Sequence, residues 1–240
     1  MQHTVSPAPD LHSPLDPVNT ETPIVPVLPD PDPITIPDVV IRRLPVYVRT
    51  LQSLHADDIL TVSSDELADH IGVTAAQIRR DLSYFGRFGK QGKGYETGFL
   101  ADRIAEILGL DTHWDVALAG VGNLGRGVLR YRGFSLPGSS FDIVAVFDRG
   151  HHGPNDRIDG IPILPTDRMT EVLLERGIRV GIIAVPAAAA QEIADRMIAG
   201  GVKALLNYAP VVLKVPDDVT VREIDPVSAL QSMTYYLRDR

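Results

Sequence analysis

Two groups of residues in this sequence carry recognisable chemistry. The first is Gly120-Val121-Gly122-Asn123-Leu124-Gly125, which follows the apolar run Val116–Ala119 and opens a helix-like stretch. Gly120 permits a tight turn, Gly122 lets the backbone approach a pyrophosphate, and Gly125 allows close helix–strand packing. Val121, Asn123 and Leu124 complete the loop, and the helix start stabilises a diphosphate. A lone glycine pattern of this kind is weak; its place between strand and helix is the required context. The next apolar run ends at Asp148, where a carboxylate can accept hydrogen bonds from the adenine ribose hydroxyls and repel a 2′-phosphate. That favours NAD(H) over NADP(H), with Arg149 next door pulling the other way. An aspartate closing a strand is also an ordinary turn former. Val185-Pro186 and Asn207-Tyr208-Ala209 end two further apolar runs. Ends of parallel strands are where open α/β sheets take ligands, and turn chemistry explains these residues equally well.

The second group is basic. Arg79, Arg80 and Ser83 share one face of a predicted helix whose other face carries Ile78, Leu82 and Phe85. Arginines so placed suit guanine edges or phosphates, although an Arg-Arg pair alone can be a solvated face. The next residues, Gly86-Arg87-Phe88-Gly89-Lys90-Gln91-Gly92-Lys93-Gly94-Tyr95, form a glycine-punctuated basic loop. It suits a β-hairpin wing with Lys90 and Lys93 at a tip that reaches phosphate or the minor groove. A reading helix followed at once by such a loop favours DNA binding.

The elements that must position these groups are partly visible. Val40, Ile41, Leu44, Val48 and Leu51 recur at helical spacing, with Pro45 predicting a kink or a late start. Ser63 and Glu66 form a capping-box pattern for a second helix, and Thr74 caps the third with Gln77 as reciprocal partner. Beyond Trp114 come Val116–Ala119, Ile143–Phe147, Val180–Val185, Ala204–Leu206 and Val219–Ile224, short apolar runs alternating with helical segments such as 187–199. Runs without polar alternation indicate strands buried on both faces of a parallel α/β sheet. Leu230, Thr234 and Leu237 mark a last docking helix in 226–240.

Composition narrows the function classes. The net charge of −8 hides its distribution: residues 1–33 carry five acids and no Lys or Arg, whereas residues 76–95 carry five bases against Asp81 alone. Nine of the 19 prolines lie in residues 1–33, a density that predicts a disordered tail. The absence of cysteine excludes disulfides, zinc–thiolate sites and thiol redox sensing. No signal peptide or membrane span is visible, so a cytoplasmic protein is expected. All seven histidines lie at or before His152, and no catalytic acid/base set or metal site stands out, which favours ligand sensing over hydride transfer.

The stretches IPDVVIRRLPVYVRTL and IRRDLSYFGRFGKQGKGY, together with the glycine fingerprint, resemble the Rex family of redox-sensing transcriptional repressors. The resemblance covers about residues 36–238. Beyond the disordered tail (1–33), which lies outside it, it implies a winged helix-turn-helix DNA-binding domain (34–112), a Rossmann-type NAD(H) domain (113–224) and a domain-swapped C-terminal helix (225–240). It implies a homodimer on palindromic double-stranded operator DNA that binds when NADH is low and is released by NADH, with NAD+ as the competing ligand. Arg80 would read bases, supported by Arg79, Ser83 and Tyr84. Asp225 would pair with Tyr131 across the subunit boundary in one state and with Arg49 in the other. Two positions depart from the family: Gln91, where a basic residue is common, and Pro226, where an aromatic residue is common. The alternative reading is a small NAD-dependent oxidoreductase with an appended helical domain.

Overall fold

The helical stripe from Val40 to Leu51 becomes α1 (Asp38–Ala56), which buries Val40, Leu44, Tyr47, Val48, Leu51 and Leu54. It starts ahead of Pro45 and runs through it, with the ring on the exposed side, so a late start is corrected. An interior proline costs about 3 kcal/mol, whereas each fully buried Val or Leu contributes roughly 1.5–3 kcal/mol. Five such side chains on one face outweigh the proline.

The computed structural model describes residues 36–89, 94–131, 139–150, 153 and 155–238. The proline-rich tail and the loop tip with Lys90, Gln91 and Lys93 lie outside the described residues. Ser63 caps α2 (Ser64–Ile71) in a reciprocal box: its hydroxyl accepts from the Glu66 N–H and the Glu66 carboxylate accepts from the Ser63 N–H. Thr74 caps α3 (Ala75–Ser83) by accepting from the Gln77 N–H at 3.2 Å. The reciprocal bond expected from Gln77 is not made. Its side-chain amide is turned the other way along the helix and donates from Nε2 to the Asp81 carboxylate at 2.7 Å, a charge-assisted bond. A helix not anticipated from sequence, α4 (Thr97–Ile107), packs Leu100, Ala101 and Ile104 into the same core as α1. Strand β1 (Thr61–Val62) pairs antiparallel with β2 (Tyr95–Glu96), which ties the far limb of the basic loop to the helices.

The second core surrounds a seven-stranded sheet of β3 (Trp114–Ala119), β4 (Phe141–Asp148), β5 (Arg157–Ile158), β6 (Ile161–Pro165), β7 (Val180–Ile183), β8 (Ala204–Asn207) and β9 (Thr220–Glu223). The order is β5-β6-β4-β3-β7-β8-β9, parallel except for the β5–β6 hairpin. All five expected strands are present; β5 and β6 had not been anticipated. Alternate β3 residues enter opposite apolar clusters. Ala117 and Ala119 join the one holding residues of α6 (Met169–Arg176) and α7 (Ala187–Ala199). Val116 and Leu118 join the one holding Val128 of α5 (Asn123–Leu129). Burial on both faces is why these strands read as continuous apolar runs.

The chain leaves β9 into α8 (Pro226–Thr234), followed by a single 3-10 turn at Tyr235–Leu237. No residue of α8 is buried, and Val227, Leu230 and Met233 are 61%, 62% and 59% exposed. Among the described residues, therefore, nothing buries the apolar side of this helix. The helical core and the sheet core are bridged by an ion pair between Arg222 on β9 and Asp38 at the start of α1. Asp38 also accepts from Arg42 Nε at 2.6 Å. The Arg42 hydrogen bond, with Arg222 beside it, holds the Asp38 carboxyl below the usual carboxylate range.

Candidate nucleic-acid interface and dinucleotide site

The outer face of α3 is fixed from beneath by a carboxylate the sequence reading had counted only as a charge. Asp81 is fully buried. It accepts two bonds from Arg43 of α1, at 2.6 Å from Nε and 2.8 Å from Nη2, one from the Tyr47 hydroxyl at 2.6 Å and one from Gln77 at 2.7 Å. Burial pushes the Asp81 carboxyl up, but the bonds from Arg43, Tyr47 and Gln77 prevail and hold it below the ordinary carboxylate range. Burial and the adjacent Asp81 carboxylate push the Tyr47 phenol well above its ordinary value, so it stays a donor. A buried charge is tolerated only when its lone pairs are met in this way. Arg43 and Tyr47 were missed because their partner lies 38 and 34 positions away; the available signals were a lone acid on a basic helix and a tyrosine within an apolar stripe.

With α3 pinned on that side, Arg79, Arg80 and Ser83 are exposed and Tyr84 is half-buried. Arg79 Nη1 donates to Ser64 Oγ at 3.0 Å, so this guanidinium braces the start of α2, while the Ser83 hydroxyl donates to Arg80 O. Of the two arginines, Arg80 is the one whose guanidinium is not engaged by another side chain among the described residues. A concavity of about 680 Å³ lies between α3, the start of α2 and the base of the basic loop, lined in part by Ser64, Arg79, Ser83 and Arg87.

The second site lies where the sheet order turns. Strand β3 has β4 on one side and β7 on the other, so the loops after these strands open a crevice at their carboxyl ends. The chain turns at Gly120 with φ +99°, and a Cβ there would meet Ala184 O at 2.4 Å. A Cβ on Gly125 would lie 1.8 Å from Gly120 O. Gly122, by contrast, faces open space, and Gly122, Asn123 and Leu124 are exposed while Val121 is buried. No side chain among the described residues caps α5. Backbone open to a ligand at one glycine and closed to any side chain at the other two is what a dinucleotide pyrophosphate requires, so the residues fit NAD(H).

Asp148 ends β4 beside this loop. Its Oδ2 accepts from the Val121 N–H at 2.8 Å and its Oδ1 from the Gly150 N–H at 2.7 Å. The carboxylate therefore braces the glycine loop while standing at the carboxyl end of its strand beside the crevice. Asp148→Ala is expected to weaken NADH binding and to narrow the preference over NADPH; calorimetric titration with both cofactors reads this, and unchanged selectivity would assign the preference elsewhere.

Val185 is half-buried and Pro186 exposed at the start of α7. Asn207 is fully buried and builds its own turn: its amide donates to Ala209 O and Val211 O and accepts from the Ala209 N–H. Its amide hydrogens are spent on the backbone, so it shapes the crevice edge instead of offering a donor. Ala209 is buried. Burial, with Tyr131 nearby, raises the Tyr208 phenol above its ordinary value.

The expected switch residues lie on separate elements: Arg49 on α1, Tyr131 just after α5 and Asp225 at the start of α8. Arg49 is exposed on α1 and Tyr131 is 66% exposed. Asp225 caps α8, its Oδ1 accepting from Val227 N at 2.9 Å and Ser228 N at 3.2 Å. Among the described residues no cluster of His, Asp or Glu could hold a metal ion, and no helix is long and apolar enough to cross a membrane.

Comparison with known proteins agrees with both halves. The family model described as "Putative DNA-binding protein N-terminus" matches residues 35–83, and that described as "CoA binding domain" matches residues 111–211. The redox-sensing transcriptional repressor Rex of Roseiflexus sp. (strain RS-1) is 52% identical over 201 residues, 84% of this chain and 90% of its own. That of Carboxydothermus hydrogenoformans is 46% identical over 203 residues, 85% and 97% of the two chains. A crystal structure of RSP in complex with beta-NAD+ and operator DNA matches with a TM-score of 0.79 at 37% identity, covering 84% of this chain and 92% of that one. RSP in complex with beta-NADH matches with a TM-score of 0.75 at 34% identity, covering 85% and 95%. A winged helical head joined to a Rossmann-type sheet, with relatives this similar over most of their length, has one assignment: the chain belongs to the Rex family of redox-sensing transcriptional repressors.

Proposed function

We propose that this protein is a cytoplasmic, homodimeric repressor that binds palindromic operator DNA when NADH is scarce and leaves it when NADH binds. The supporting observation is the pairing, in one chain, of an outward α3 face anchored on Asp81 with a glycine cradle at the crevice of the parallel sheet. Residues 34–112 form the DNA head and 113–224 the NAD(H) domain. In the head, Arg80 reads bases, Arg79, Ser83 and Tyr84 support it, and Lys90 and Lys93 meet phosphates. In the NAD(H) domain, Gly120 to Gly125, Asp148, Val185, Pro186 and residues 207–209 surround the cofactor. The protein is a regulator and not an enzyme. Bound nicotinamide supplies the redox-dependent charge difference, and the chain supplies the pocket that senses it. Operator binding titrated separately with NADH and NAD+ tests the whole reading: NADH should release DNA at concentrations where NAD+ does not, and equal effects would refute it.

Residues 225–240 dock on a second subunit, which gives the open apolar side of α8 its cover. Asp225 then carries two duties, capping α8 and exchanging Arg49 for Tyr131 between states. Asparagine caps a helix as well as aspartate but has no charge for a guanidinium. Asp225→Asn is therefore expected to fold, dimerise and bind dinucleotide while losing the NADH-dependent difference in operator affinity, a coupling on the order of 1–3 kcal/mol. Full NADH release in this variant would leave Asp225 a helix cap alone.

A further inference from the structure

We infer that Glu192 is a positioning residue that sets cofactor selectivity by holding Arg149 away from the ribose 2′ position. Arg149 directly follows Asp148, the carboxylate at the ribose end of the crevice. A guanidinium at that place is the natural partner of a 2′-phosphate: it is planar, permanently charged and able to bind phosphate through two N–H groups. Left alone, Arg149 would oppose Asp148 and draw NADP(H) into a site whose carboxylate repels it. In the structure its Nη2 donates instead to Glu192 Oε2 at 2.9 Å, across to the exposed side of α7.

The other Glu192 oxygen is held too. Arg196, one turn further along α7, donates from Nη2 to Oε1 at 3.0 Å. Arg196 also donates from Nη1 to the carbonyl of Thr166, so it is anchored to the segment after β6. Glu192 is thus fixed from behind and presents its free edge to Arg149. The order Arg149–Glu192–Arg196 leaves one carboxylate between two guanidiniums. A 2′-phosphate could recruit Arg149 only by breaking this pair, and the lost pair offsets what the phosphate would gain. Selectivity then has two parts: Asp148 repels the phosphate, and Glu192 withholds the cation that would welcome it.

The inference rests on the crevice binding NAD(H). Its test is calorimetric titration of the full chain with NADH and with NADPH, in wild type, Glu192→Gln, Arg149→Ala and the double variant. Glutamine keeps the shape and removes the charge. Glu192→Gln should raise NADPH affinity about fivefold, the worth of one exposed ion pair, with NADH affinity held within about twofold. Adding Arg149→Ala should return NADPH affinity to the wild-type value, since Glu192 acts through that side chain. A purely structural role for Glu192 would instead weaken both cofactors together. An unchanged NADH-to-NADPH ratio in Glu192→Gln, or a gain that survives Arg149→Ala, overturns the inference while leaving the cofactor site standing. Failure of wild-type protein to bind NADH overturns the cofactor reading and the inference with it.

Discussion

Replacing Asp81 by alanine should lower unfolding stability by about 3–5 kcal/mol, because removal of one partner strands the others of a buried ion pair. The lower end of that range is expected, since the Arg43 side chain is 23% exposed and can recover some water. Arg43, Tyr47 and Gln77 would together lose four hydrogen bonds, and α3 would lose its polar link to α1. The denaturant midpoint of the full chain reads the effect, and equal midpoints for variant and wild type would sink it. The pH dependence follows from the depressed carboxyl. The folded-state value lies below the unfolded one, so the ionised Asp81 stabilises fully above the ordinary carboxylate value of about 4. That contribution fades as pH falls below 4 towards the lower folded value. The gap between wild type and Asp81→Ala should therefore close in acid.

Operator binding should collapse in Arg80→Ala while NADH binding stays intact. A lost bidentate base contact costs roughly 1–3 kcal/mol, and a dimer on a palindrome loses two. Arg79→Ala should cost less in specificity, because Arg79 is already committed to Ser64. Titration of a fluorescent operator, with a scrambled duplex as reference, separates base reading from phosphate attraction. Unchanged specific affinity in Arg80→Ala would remove it from the reading role.

What the sequence disclosed was local and periodic. The α1 stripe, the Ser63–Glu66 box, the five buried strands and the turn at Gly120 each follow from residues close in the chain, where spacing carries the signal. The Asp159-Gly160 turn between β5 and β6 was legible by the same logic and went unread. Both residues have positive φ, 48° and 86°, the backbone that an Asp-Gly hairpin demands. Long-range pairing was not legible. Asp81 with Arg43, Arg149 with Glu192 and Asp38 with Arg222 join residues 38, 43 and 184 positions apart, and no spacing rule reaches so far. Helix α4 escaped for a different reason: its start carries a glycine, Gly98, and no side chain caps it at Glu96, so neither usual start signal is present. The apolar side of α8 was legible, but among the described residues nothing buries it.

The bridge between the two cores joins a half-buried Arg222 to an exposed Asp38, with 34% and 53% of the two side chains open to water. Contacts in water answer to dissolved ions, with a screening length of about 8 Å at physiological ionic strength. One tie between head and sensor thus acts as a weak spring whose stiffness the solution sets. Potassium and other salts accumulated under osmotic stress would loosen that spring while also weakening the grip on DNA phosphates. Response curves from different laboratories, or from organisms of different salinity, become comparable only at matched ionic strength. A change in the cell's salt content then counts as a second input to a switch built for redox state.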